Sequence, residues 1–224
     1  MNIKIIIVGA GAAALMVGNM ILPAFAATSV SNGSFENGSN PGVFTTVSAG
    51  QTNITDWNVV SGTVDYIGTY WQASNGTRSI DMDGNDAGTI SQTLATTPGA
   101  TYTVTFDMSG NPDGGPVVKT MDVSAGTTTQ SFSFDTTGIS KTAMGWVGKS
   151  FTFTTTSANT TLTFASTTPG FYGAALDNVA ITQTLPGTKE ECKNGGWQTF
   201  GVFKNQGDCV SFVATQGRNL PANQ

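Results

Sequence analysis

Along most of this chain, large apolar residues recur at every second position. In Thr101-Tyr102-Thr103-Val104-Thr105-Phe106-Asp107-Met108 the apolar residues occupy one parity and Thr and Asp the other. A strand projects successive side chains to opposite faces, so this is the pattern of a half-buried strand. The same alternation returns at Phe132 and Phe134, Phe151 and Phe153, Leu162 and Phe164, and Val179 and Ile181. Pro98-Gly99, Asn111-Pro112-Asp113-Gly114-Gly115-Pro116 and Pro169-Gly170 stand between these runs as turns. The pattern predicts strands at 29–35, 57–61, 63–67, 78–83, 88–94, 101–109, 118–125, 128–135, 148–155, 160–166 and 175–184. No segment has convincing helical periodicity. Many short strands punctuated by turns predict an all-β, two-sheet antiparallel sandwich.

The ends read differently. Lys4 supplies a positive charge, an apolar stretch runs from Ile5 to about Leu22, and Pro23-Ala24-Phe25-Ala26-Ala27 holds an A-x-A cleavage site. That order predicts a signal peptide over 1–26, and an exported, extracellular or surface-associated chain with no membrane attachment once it is removed. The alternative is an uncleaved anchor, because the run is near bilayer-spanning length. The sandwich is expected over 27–184, a linker at 185–188, and a separate tail over 189–224, where charge rises and threonine thins out. Both cysteines, Cys192 and Cys209, lie in that tail, and in an exported protein they predict a disulfide.

Composition narrows the chemistry. The 224 residues carry a formal net charge of −5 and no histidine. The lack of histidine excludes Ser-His-Asp and Cys-His centres and His-ligated zinc or copper. The lack of any basic run argues against nucleic acid.

Several stretches taken in order resemble a known family: Asn32-Gly33-Ser34-Phe35-Glu36, Trp57-Asn58-Val59, Val64-Asp65-Tyr66-Ile67-Gly68 with Tyr70-Trp71, Ser79-Ile80-Asp81-Met82-Asp83-Gly84, Gly110 through Pro116, and Ala175-Leu176-Asp177-Asn178-Val179. Together they resemble the bacterial choice-of-anchor C domain, related to the DUF642 group, over about 29–184. The resemblance implies a galactose-binding-like jelly roll of the carbohydrate-binding-module type, an extracellular location and polysaccharide or cell-wall glycan as partner. It also implies a structural calcium ion, with Glu36 and Asp177 at the matching positions and Asp81 or Asp83 as a third carboxylate. The tail has neither a sorting motif nor a terminal apolar helix, which departs from the anchored pattern.

Flat aromatic rings cover the apolar C–H face of a sugar, and nearby polar groups fix its orientation. Tyr66, Tyr70, Trp71 and Trp146 are the candidate rings, with Asp65, Arg78, Asn111, Asp113 and Lys119 as polar partners. Each has a plainer reading, as core rings or as an ordinary Asn-Pro-Asp-Gly turn. Trp57, at strand spacing from Val59, is assigned to the core. Paired acids can cleave glycosides without histidine, but the sequence places no two of them across a cleft. The expectation is a non-catalytic carbohydrate-binding module. The alternative is a surface structural or adhesion protein that contacts other surface proteins, and after that a glycan-active enzyme.

Overall fold

The computed structural model describes residues 28–222; the expected signal peptide lies outside them. Among the described residues, no helix is long and apolar enough to cross a membrane. Eleven strands make the body: β1 (Phe44–Ser48), β2 (Asn58–Ser61), β3 (Thr63–Ile67), β4 (Ser79–Asp81), β5 (Thr89–Ala95), β6 (Thr101–Gly110), β7 (Val118–Ala125), β8 (Thr128–Asp135), β9 (Val147–Thr154), β10 (Asn159–Ser166) and β11 (Ala174–Gln183). They form a six-stranded sheet, β1-β3-β4-β11-β6-β9, and a five-stranded sheet, β2-β5-β10-β7-β8. Every pairing between them is antiparallel.

The alternating parities meet in the middle. Val64, Tyr66, Ile80, Tyr102, Val104, Phe106, Phe151 and Phe153 of the larger sheet face Ile90, Leu94, Leu162, Phe164, Met121 and Val123 of the smaller one, all buried. Burying such side chains is worth about 1.5–3 kcal/mol each, and is the main force closing the sandwich. Outward positions of the smaller sheet are short and polar. One row across it runs Asn58, Ser91, Thr163, Ser124, Thr129.

Two expectations fail near the N-terminus. Residues 29–35 form a turn, not a strand. Asn32 and Phe35 take positive φ (51° and 57°), and the Asn32 side chain bonds Asn37 and Thr55. Gly33 lies so close to the Val179 carbonyl that a Cβ would sit 1.9 Å from its oxygen. Here Asn-Gly turn chemistry overrides the strand reading. Conversely, β1 is a real strand that the pattern missed. Its apolar residues, Phe44 and Val47, are three apart and so point to opposite faces; Phe44 is exposed and Val47 buried.

The tail contains a 3₁₀ turn at Gly196–Phe200 and a helix, α1 (Gln206–Ala214). The absence of helical periodicity did not anticipate α1. Its start is set by Asn205, whose side chain accepts from the Asp208 amide at 2.9 Å, one of the preferred capping arrangements. Cys192 and Cys209 form the expected disulfide. Around it Phe200, Val202 and Phe203 make a second small core.

Candidate functional site

On the outer face of the six-stranded sheet, Thr46, Asp65 and Asp81 are direct cross-strand neighbours on β1, β3 and β4. They alternate with the core residues Val47, Val64, Tyr66 and Ile80, so they point away from the core. Together with Asn111 they line a cleft of about 300 Å³, at the small end of the usual range for ligand sites. Phe44, Tyr70, Phe171 and Tyr172 line the same cleft. Phe171 is 60% exposed, and Phe44 and Tyr172 are also substantially accessible.

Two loops supply one wall, residues 111–117 and 167–173. They are held together from below by buried charges. Asp81 accepts from Asn111 Nδ2 at 2.7 Å and from the Gly173 amide at 3.0 Å. Lys119, with no exposed surface, donates Nζ to the carbonyls of Gly114 (2.7 Å) and Tyr172 (2.6 Å). Asp83 is buried beside them, and no hydrogen bond reaches either of its oxygens.

Burial dominates the electrostatics of this floor. It pushes Asp81 up to about 8, against the bonds from Asn111 and the Asp83 amide, and the charges of Asp65 and Asp83 act in the same direction. It raises Asp65, against the Thr46 hydroxyl that donates to it at 2.5 Å. It takes Asp83 to about 6, with Ser166 and Lys119 pulling the other way. It also lowers Lys119, which Asp81 and Asp83 partly restore. Withdrawal from water disfavours the charged form of both kinds of group, which raises the carboxyls and lowers the ammonium.

Of the residues singled out from sequence, Asp65, Tyr70 and Asn111 come together in this cleft. Asp113 stands next to it, accepting from the Tyr70 hydroxyl and pairing with Lys141 at 2.7 Å. Trp71 does not present a platform. Its ring is 4% exposed, packed with Ile67, Met144 and Ala175, and its Nε1 donates to Ser79 Oγ at 2.8 Å. Tyr66 is wholly buried with its hydroxyl donating to the Phe35 carbonyl. Arg78 lies over the Tyr66 ring and donates to its hydroxyl. Trp146 packs beside Trp71 and donates to the Gln72 carbonyl. Lys119 is fully buried and its ammonium is turned to two backbone carbonyls, so it does not face a ligand from where it lies.

Phe44, Phe171 and Tyr172 were missed. The signal for the last two was present: an aromatic pair inside Pro169-Gly170-Phe171-Tyr172-Gly173, where a turn leaves large rings exposed. Phe44 carried no such signal, because it belongs to the strand whose alternation is broken.

Glu36 and Asp177 converge on one loop, Ser74–Arg78, away from Asp81. Glu36 accepts from the amides of Thr77 and Arg78 and from the Thr77 hydroxyl. Asp177 accepts from the amides of Ser74, Asn75 and Asn178. Burial lifts Asp177 to about 7, opposed by those amides. Among the described residues, no group of three or more His, Cys, Asp or Glu is placed to hold a metal. The three-carboxylate arrangement of Glu36, Asp81 and Asp177 is therefore not what the fold builds: Asp81 is tied to the cleft loops instead. Glu36 and Asp177 alone match calcium by donor type, since each keeps one oxygen with a single hydrogen bond and calcium takes carboxylate and carbonyl oxygens.

Two antiparallel sheets, an aromatic-rimmed cleft on the outer face of one of them and a short disulfide-closed appendage define a β-sandwich module of the jelly-roll class. The chain matches the DUF642 family, described as a protein of unknown function, over residues 28–182, and belongs to that family. It is 36% identical over 165 residues to halomucin of Haloquadratum walsbyi; the match takes in 69% of this chain and 2% of halomucin's length. Among solved structures, it is similar to a family 61 carbohydrate-binding module in complex with β-1,4-galactotriose (TM-score 0.42, 15% identity, 69% of this chain and 97% of that one). It is also similar to a xylan-binding domain from Paenibacillus barcinonensis (TM-score 0.44, 16% identity, 69% and 92%).

Proposed function

We propose that this chain is an exported, non-catalytic carbohydrate-binding module whose ligand lies in the cleft between Phe44, Tyr70, Phe171 and Tyr172, over Asp65, Asp81 and Asn111. The observation that carries this reading is the combination of accessible rings at the rim with carboxyl and amide groups on the floor. Rings take the C–H faces of a pyranose, and the half-exposed Asp65 accepts hydrogen bonds from its hydroxyls. The disulfide supports an oxidising location.

The test is calorimetric titration of residues 27–224 with a panel of oligosaccharides, in parallel for the native protein and for Phe171→Ala. Because Phe171 is largely exposed, its loss should leave the melting temperature unchanged and weaken binding by about 1 kcal/mol, roughly fivefold. Binding that is indifferent to Phe171→Ala and Tyr172→Ala places the ligand elsewhere, and removes the cleft from the reading.

We propose further that Glu36 and Asp177 hold a structural calcium ion at the Ser74–Arg78 loop. The ion would supply a positive centre that pins the loop to the two ends of the sandwich sequence. Calcium bound only by the native state raises stability by mass action. A chelator should lower the melting temperature, and Glu36→Gln, which keeps an acceptor for the loop amides, should abolish that dependence. A melting curve identical with calcium and with chelator rules the ion out.

A further inference from the structure

From the groups that face the cleft, we infer that it selects uncharged saccharides and turns away uronates and other anionic glycans. This rests on the carbohydrate reading above and names the class of sugar that the site admits.

No basic side chain lines the cleft, whose polar side chains are those of Thr46, Asp65, Asp81, Asn85 and Asn111 with the Tyr70 and Tyr172 hydroxyls. Asp65 lines the cleft, and its Oδ1 takes the Thr46 hydroxyl proton. Asp81 lies beside it as its register partner on β4. The side-chain amide of Asn111 spends a donor on Asp81, and its oxygen accepts from the Asp113 amide. A floor of this kind is complemented by hydroxyl protons, which every neutral sugar ring carries in number. A ligand carboxylate brings only acceptors and a second negative charge.

Among the described residues, no cation lines the cleft to offset that charge. Lys119 is beneath the floor, and its ammonium is given to two carbonyls. Lys141, at the rim, is paired with Asp113 at 2.7 Å and lies 3.9 Å from the centroid of the Tyr70 ring. Neither lines the cleft. An anion entering here would approach the Asp65 carboxyl with no basic side chain beside it, in a partly dehydrated place, where like charges repel more strongly than in water. Engaging Lys141 would require breaking its ion pair and leaving Asp113 uncompensated.

The experiment compares neutral tetrasaccharides (galacto-, xylo- and gluco-) with tetragalacturonate and tetraguluronate by calorimetric titration at neutral pH and low salt, where screening is weak. The expected result is measurable binding of at least one neutral probe and binding of both uronates at least about tenfold weaker. Asp65→Lys, at a half-exposed strand position that tolerates a long side chain, should let a uronate in. Its melting temperature checks that it is folded. A native protein that binds a uronate as tightly as the best neutral probe overturns the inference while leaving the carbohydrate reading intact. If no sugar binds at all, both fall.

Discussion

Lys119 lies on β7 with no exposed surface, and gives two of its three protons to the carbonyls of Gly114 and Tyr172. Lys119→Met keeps the stem and removes the charge. It strands two carbonyls, and leaves the unbonded carboxyl of Asp83 without the cation that draws its pKa down. Removing one partner of a buried charged group costs about 3–5 kcal/mol, so chemical denaturation should show a loss of that order. A change under about 1 kcal/mol would show that the loops hold without the lysine. Trp71→Ala should behave as a core truncation, with a loss of about 3–5 kcal/mol, and not as the removal of a binding ring. The difficulty in reading such residues from sequence is a physical one. Tyr70 and Trp71 are adjacent in the same Gly-rich stretch, yet one lines the cleft and the other is sealed under it. Which ring turns inward depends on the strap around Met144 that covers Trp71, and that contact is distant in the chain.

Where a period of two runs unbroken, as in β6, β7 and β10, the elements lie within a residue or so of the positions their pattern predicts. Failures cluster at the N-terminal edge. β1 is an edge strand with one buried residue, so the core imposes almost no alternation on it. Residues 29–35 offer Val30 and Phe35 as apolar positions, but the Asn-Gly between them bends the chain and Gln92 takes hold of the Ser31 backbone. In the tail, α1 is short, and the bridge at Cys209 ties it to the rest of the appendage. Closing a loop with a sequence separation of 17 is worth about 3 kcal/mol in the chain-entropy account. Reduction should therefore remove the helical contribution to far-UV circular dichroism while the sandwich still melts cooperatively at its own temperature, since its core contains no cysteine. Loss of the sandwich transition on reduction would mean that the two cores are one unit.

At the scale of the whole molecule, the buried acids, Asp81 and Asp83 under the cleft and Asp177 beside the Ser74–Arg78 loop, set how stability depends on pH. An unfolded aspartate titrates near 3.8, whereas burial takes Asp83 to about 6 and Asp81 to about 8. Between those limits the native state binds more protons than the unfolded chain, so stability falls as pH rises, first through the Asp83 range and then through that of Asp81. The melting temperature should be higher at about pH 5 than at about pH 9, and Asp83→Asn should flatten the acid part of the profile. A wild-type profile that rises over this interval would contradict the assignment. The sandwich itself was legible because two faces of one repeated pattern have only one economical way to pack. The cleft was legible only in part, because its floor is assembled from neighbours on three strands and its wall from two loops far apart in sequence. That assembly has a consequence for how such a module can diversify. Asp81 and Lys119 each grip one group from each of the two loops, and the Tyr172 ring lies against Gly114 and near Lys119, whereas Phe171 stands 60% exposed at the rim. Position 171 can therefore be rewritten without disturbing the frame, so the rim's chemistry there and the foldedness of the module are free to change independently of one another.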